Sequence, residues 1–333
     1  MARTEQDHTA GEKDSWLQYG KGLRSWFSIL SGRAGTGEDE HTLEAALTGA
    51  VLVLMALNTG ILLAVGVSWT AAVLAAALTA WAAVQNRNGI SALRPGRRAG
   101  KGEDLVKVMS WNVLHDNAPA AVATGVADGE ADLVILFEPV SGHLDALEEG
   151  VAAQYSIRCE VPGDGDERHA GIAGYGNQKV TSIEWRECAG MGALRAVVRT
   201  EGGEIAVWGF RPEAPTTTER KERWRSQLRA LEALLREERL PVCLLGDMNS
   251  TVWHRPYTEV LEKLRLRRAS VLRGTWRHPV LGWRARIDHV LIGPGLVRGE
   301  SGRIGPFGSD HQALVVEIGR PGRKRVLAPS YHP

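Results

Sequence analysis

The chain has 333 residues, with 40 Lys+Arg against 39 Asp+Glu and a formal net charge of +1. That length holds one large domain and an accessory segment, and the charge balance lacks the basic excess of a dedicated nucleic-acid binder. Cys159, Cys188 and Cys243 have no CxxC spacing, which points away from both a zinc knuckle and a disulfide framework.

Residues 1–44 form a tail. Trp16, Leu17, Tyr19, Leu23, Trp26, Phe27, Ile29 and Leu30 give it the content of an interfacial amphipathic helix, followed by a Gly-rich acidic connector. Residues 45–85 carry no charge. The stretch is too long for one membrane span and suits two, so Ala45 to Val65 and Trp69 to Val84 are expected to form a transmembrane helical hairpin turned at Gly66-Val67-Ser68. A buried soluble hairpin is the competing reading, weakened by the missing charged face. The stretch starts too late and runs too long for a cleaved signal peptide. Arg87, Arg94, Arg97, Arg98 and Lys101 crowd a basic linker, 86–104, so the positive-inside rule places the large domain on the cytoplasmic side of the cell membrane. A third membrane element in the tail would place it outside.

From Leu105 the pattern changes to short apolar runs separated by turns, as in a sheet-based α/β domain spanning 105–319, with a basic tail at 320–333. Leu105 to Val113 reads as a strand that ends near Asn112. A helix over Ala118 to Ala127 leads to a strand, Asp132 to Phe137, which delivers Glu138; Pro139 then stops the ladder. Capping the next helix is the competing role for Glu138. Residues 159–190 show little pattern. Gly192 to Thr200 and Glu204 to Phe210 form a hairpin followed by Arg211 and Pro212. Thr216 with Glu219 fits a capping box for a helix whose Trp224, Leu228, Leu231 and Leu235 share one face. Pro241 to Leu245 is a buried strand ending in Gly246-Asp247-Met248-Asn249. Arg284 to Ile292 reads as one strand with Asp288 in its middle, where a buried acid needs a strong partner; His311 is the natural one. The last apolar strand, Ala313 to Ile318, follows Ser309-Asp310-His311.

Acids, amides and one imidazole, each at a strand end, make an oxygen-rich site suited to Mg²⁺ or Mn²⁺ and to phosphoester hydrolysis. Neither HExxH, a P-loop nor G-x-S-x-G occurs, which argues against a zinc protease, an NTPase and a serine hydrolase.

Ser110-Trp111-Asn112-Val113, Leu136-Phe137-Glu138-Pro139-Val140, Gly246-Asp247-Met248-Asn249, Arg286-Ile287-Asp288-His289 and Ser309-Asp310-His311 resemble, in order and spacing, the signature blocks of the endonuclease/exonuclease/phosphatase superfamily. The resemblance implies a four-layered α/β sandwich, two central mixed sheets flanked by helices. The hydrophobic hairpin is similar to the membrane-anchored bacterial, VanJ-like branch, which implies a lipid-linked phosphorylated substrate and a tie to antibiotic resistance. Carried over block by block, it implies metal binding by Glu138, Asn112 and Asp310, water activation by Asp247, phosphate binding by Asn249, and a transition-state contact from His311 oriented by Asp288. It also implies substrate contacts from Asn117 and Arg211. Three departures stand out: Arg211-Pro212 where many members have His-Pro, Gly174-Tyr175-Gly176-Asn177 where a Ser-Arg or Ser-Lys block is usual, and Phe137 in place of the usual Gln. Arginine keeps positive charge there but cannot act as an acid near neutral pH. The expected activity is therefore a membrane-anchored phosphoesterase, with a Mg²⁺-dependent nuclease and a catalytically weakened phosphate-binding protein as the alternatives.

Overall fold

A strand's side chains alternate between its two faces, so a strand buried on both sides contributes to two cores at once. The computed structural model describes residues 87–161, 163, 171–278 and 282–322, and six positions between 73 and 80. The chain runs α1 (Arg87–Ala92), β1 (Val106–Asn112), α2 (Pro119–Gly129), β2 (Leu133–Phe137), α3 (Ser141–Gly150), β3 (Ile157–Val161), β4 (Ile172–Gly176), β5 (Val180–Cys188), β6 (Met191–Thr200), β7 (Gly203–Phe210), α4 (Thr218–Glu237), β8 (Val242–Asp247), α5 (Arg255–Lys263), β9 (Arg267–Arg268), β10 (Trp276–Arg277), β11 (Arg284–Ala285), β12 (Asp288–Ile292), β13 (Val297–Ile304) and β14 (Ala313–Gly319). One mixed sheet has the order β13-β14-β1-β2-β4-β3, the other β5-β6-β7-β8-β12-β9.

Val106, Val108, Leu133, Ile135 and Phe137 of the first sheet pack against Leu194, Val207, Cys243, Leu245, Val290 and Ile292 of the second. Met109, Trp111, Val134 and Leu136 point the other way, onto α2 and α3. Ala206, Trp208 and Leu244 likewise meet α4 and α5. The result is helices, sheet, sheet, helices. Helix α4 buries Trp224, Leu228, Leu231 and Leu235, spaced to fall on one stripe. Its N-cap is Thr217, whose hydroxyl accepts from Arg220 N, one residue later than the Thr216 box predicts.

Two other expectations change. Arg284 to Ile292 is not one strand: Arg284–Ala285 pairs with Trp276–Arg277, so Asp288 opens β12 directly opposite Asp247. The stretch read as a basic linker packs on the domain edge. Gly96 N donates to Arg268 O at 2.7 Å and Ala99 N to Arg298 O at 2.8 Å, stitching it to β9 and β13. The tail 1–44, nearly all of the expected hairpin 45–85, and 323–333 lie outside the described residues. Among the described residues no helix is long and apolar enough to cross a membrane.

Arg286, between β11 and β12, is costly for this packing. Its three guanidinium nitrogens are buried and make no hydrogen bond, nor do Tyr257 Oη and His289 Nδ1 nearby. Burial pushes the guanidinium down to about 10, so it stays charged at neutral pH. An unsatisfied buried charged donor costs on the order of 1–3 kcal/mol or more. Arg286→Met is therefore expected to raise the melting temperature; a lower one in thermal denaturation would contradict this account of the site.

Candidate active site

The inner faces of three strands turn polar at the same end of the sandwich. Asn112 shares its face with Val106 and Val108, Asp247 with Cys243 and Leu245, and Asp288 with Val290 and Ile292, as a two-residue period requires. Strands β1 and β2 are parallel and pair Asn112 with Phe137, so Glu138 emerges beside Asn112. Strand β14 runs antiparallel to β1, which brings the residues before it, Asp310 and His311, to the same rim. Gly246, at φ +146°, lets the ends of β7 and β8 close together: a Cβ there would lie 1.9 Å from Phe210 O. Glu138 and Asn249 hold left-handed backbone at φ 62° and 47°. For a non-glycine residue that costs about 1–2 kcal/mol, more readily borne by Asn than by Glu.

These ends surround a cleft of about 240 Å³, lined among others by Asn112, Glu138, Arg211, Asp247, Asp310 and His311. It is smaller than a typical drug-sized site, roughly 300–1,000 Å³, and suits a phosphoryl group with its first substituent atoms. Asn112 Nδ2 donates to Glu138 Oε1 at 2.8 Å and to Asp247 Oδ2 at 3.0 Å, while its Oδ1 accepts from Leu114 N at 3.1 Å. The amide therefore turns its nitrogen to the two carboxylates and orients them. Asn249 N donates to Asp247 Oδ1 at 3.0 Å, and Asn249 Nδ2 to Pro212 O at 2.9 Å.

His311 Nδ1 lies 2.9 and 3.1 Å from the two Asp288 oxygens, and its Nε2 lies 4.0 Å from Asp247 Oδ2 and 3.9 Å from Asp310 Oδ1. Burial alone would lower its pKa, but Asp288 and then Asp247 outweigh that and raise it to about 10. Asp247 goes up to about 6, driven by burial and by Asp288, and opposed by His311 and Arg211. Burial also works against the Glu138 anion, yet Arg211, His115 and Asn112 together hold its carboxyl far below the usual range.

Asn117 does not line the cleft. Its Nδ2 donates to Phe307 O at 3.0 Å and its Oδ1 accepts from Ala118 N at 2.8 Å, which latches the loop before Ser309. Ser309 Oγ completes that clamp by donating to Asn112 O and accepting from His311 N. Three further side chains take part. Thr275 Oγ1 donates to Asp288 Oδ2, Trp276 Nε1 donates to Asp310 Oδ2 at 2.7 Å, and His115 Nδ1 sits 3.4 Å from Glu138 Oε2.

The donor set fits a hard divalent cation. Asp310 Oδ1 is buried and accepts no hydrogen bond, and Asp310 and Glu138 both bring carboxylates to the cleft lining. Asp247, Asp288 and His311 also stand within ligand distance of one another. That cluster suits a proton better than a metal, because an imidazolium has no lone pair to give.

A sequence profile described as "Endonuclease/Exonuclease/phosphatase family" matches residues 109–311. Comparison with curated proteins finds no match. Among solved structures, D. rerio TDP2 complexed with single-strand DNA product aligns with TM-score 0.51 at 20% identity, covering 65% of this chain and 99% of that one. An endonuclease/exonuclease/phosphatase from Beutenbergia cavernae gives 0.52 at 19%, covering 66% and 72%, and the human Nocturnin catalytic domain with bound sulfate anion 0.51 at 17%, covering 65% and 94%. At those identities the likeness speaks for the sandwich. The profile spans the region from β1 to His311, more than half of the chain, and on that match the protein belongs to the endonuclease/exonuclease/phosphatase family.

Proposed function

We propose that the protein is a divalent-cation-dependent phosphoesterase, held at a membrane by residues 45–85 and acting on a lipid-linked or other small phosphorylated substrate, in the manner of the VanJ-like branch. The carrying observation is that Glu138, Asp247, Asp310 and His311 line one cleft, with His311 held from behind by Asp288 and Asp310 Oδ1 accepting no hydrogen bond. In this reading a water attacks phosphorus, and its proton passes to Asp247, whose pKa near 6 leaves it ionised but still basic at neutral pH. The imidazolium of His311 faces the charge that builds on the phosphoryl oxygens, and the second proton on Asn249 Nδ2 is available to one of them. The ester oxygen leaves with the bonding pair and takes its proton from solvent, since Arg211 cannot serve as an acid. A cation at Glu138 and Asp310, Mg²⁺ or Mn²⁺, would supply charge neutralisation at the phosphate.

The test uses the purified full chain in detergent, with and without chelator, on polyprenyl pyrophosphate, phosphoinositides and supercoiled plasmid. Chelator-sensitive release of inorganic phosphate from the lipids is expected; plasmid nicking alone would favour the nuclease reading. Membrane anchoring with the domain in the cytoplasm rests on the uncharged run and the basic cluster after it. Activity of a periplasm-only reporter fused to the C-terminus would overturn that orientation.

A further inference from the structure

Arg211 occupies a position from which its charge competes with the proposed cation. It follows β7 directly, is 6% exposed, and reaches across the cleft. Its Nη2 pairs with Glu138 Oε1, and its Nε lies 3.6 Å from Asp247 Oδ2. Glu138 Oε1 is shared with Asn112 Nδ2 at 2.8 Å, and Oε2 faces His115 at 3.4 Å. Both Glu138 oxygens are thus engaged by the chain's own groups, whereas Asp310 Oδ1 accepts no hydrogen bond and faces His311 Nε2 at the longer distance of 3.9 Å. A guanidinium and a divalent cation cannot share one buried carboxylate without strong repulsion between them. The same planar fork that fits a carboxylate also fits two oxygens of a phosphate.

We propose that Arg211 is an exchange ligand: it neutralises Glu138 and Asp247 until a cation takes Glu138, then turns its fork to the substrate's phosphoryl oxygens, so that cation and phosphate bind cooperatively through one side chain. This rests on the cation site proposed above and adds a coupling to it. Each ligand pays part of the cost of moving the guanidinium, and by linkage each tightens the other by the same factor. The arginine in place of histidine then makes the site reluctant to hold a cation without substrate.

The experiment measures Mn²⁺ affinity of the full chain by calorimetry and by the spectroscopic signal of free Mn²⁺, with and without phenylphosphonate. It compares wild type, Arg211→Met, Arg211→Gln and Glu138→Gln. Removal of the guanidinium is expected to tighten Mn²⁺ alone about tenfold, while the gain from phenylphosphonate, about tenfold in wild type, falls below about twofold. Thermal denaturation without Mn²⁺ should show the Arg211 variants less stable than wild type, and Mn²⁺ should restore them. A side chain that merely props the site would, when removed, weaken both ligands together. The exchange is overturned if either arginine variant binds Mn²⁺ no tighter than wild type, or keeps the full phosphonate gain, while Glu138→Gln abolishes Mn²⁺ binding. If wild type binds no Mn²⁺, or Glu138→Gln binds it unchanged, the cation site itself is wrong and the exchange falls with it.

Discussion

Asp247→Asn is expected to cut phosphoesterase turnover about 10³-fold at neutral pH, within the range removed with a general base, and to leave KM nearly unchanged. The side chain is 1% exposed, and four neighbours fix its position: Asn112 Nδ2 and Asn249 N by hydrogen bonds, Arg211 Nε at 3.6 Å and His311 Nε2 at 4.0 Å. Asparagine has the same outline but no carboxylate to accept a proton from water. It also turns an NH₂ toward either Asn112 or Asn249, donor against donor, at a cost of about 1–3 kcal/mol. The protein should therefore still fold, with a lower melting temperature, while kcat collapses. Steady-state kinetics beside thermal denaturation separates the two effects. A kcat within tenfold of wild type in a folded variant would remove Asp247 from the role of base.

What the sequence makes legible is the rim, and the reason is parity. On the inner face β1 and β8 end in Asn112 and Asp247 while the antiparallel β12 begins at Asp288, so a polar residue in phase with the core marks the sandwich's open end. The interior strands β1, β2, β6, β7, β8 and β14 are readable for the same reason. Strands at the edges are not. Strand β13 is half-exposed, contains Gly299 and Gly302 and shifts register between Arg298 and Ser301; β5 carries exposed Trp185 and Arg186; β9 has two residues. Edges face water on one side and must not invite further pairing, so their composition loses the apolar alternation.

Interior β4 is hidden by a different cause. Gly174 and Gly176 lower its strand propensity, yet a Cβ at Gly176 would lie 2.5 Å from Val180 Cβ, so the sheet needs the gap. Within the site, Thr275 precedes and Trp276 begins a two-residue strand too short for any period to show. The cap of α4 slips by one because Thr216, Thr217 and Thr218 are chemically alike, and only the geometry of the turn selects among them. Parity also cannot say what an amide does once it arrives. Asn112 reaches the rim as expected, and its neighbours then decide that nitrogen, not oxygen, faces the carboxylates.

Asp288→Asn should move both limbs of the pH–rate profile downward. The reaction as proposed needs Asp247 ionised and His311 protonated, so kcat/KM rises through about 6 and falls near about 10. Asp288 raises both values: it is the charge that most strongly offsets the burial of His311, and it repels the Asp247 anion. Without it the alkaline limb is expected to fall by more than about one unit, which at 1.4 kcal/mol per unit is a large share of the stabilisation of the imidazolium. The acid limb falls less. Stability carries the same signature with a definite sign. His311 has a folded pKa of about 10, above its ordinary 6.5, so the ion pair's contribution is fully present below pH 6.5 and is lost as pH rises through about 10. Glu138 acts oppositely: its pKa is lowered from 4.5, so its contribution is present above pH 4.5 and is lost as pH falls through the depressed value. Wild type and Asp288→Asn should accordingly melt far apart at pH 6 and converge near pH 10. A gap that is constant across that range, with an alkaline limb that does not move, would mean that Asp288 holds His311 by shape and not by charge.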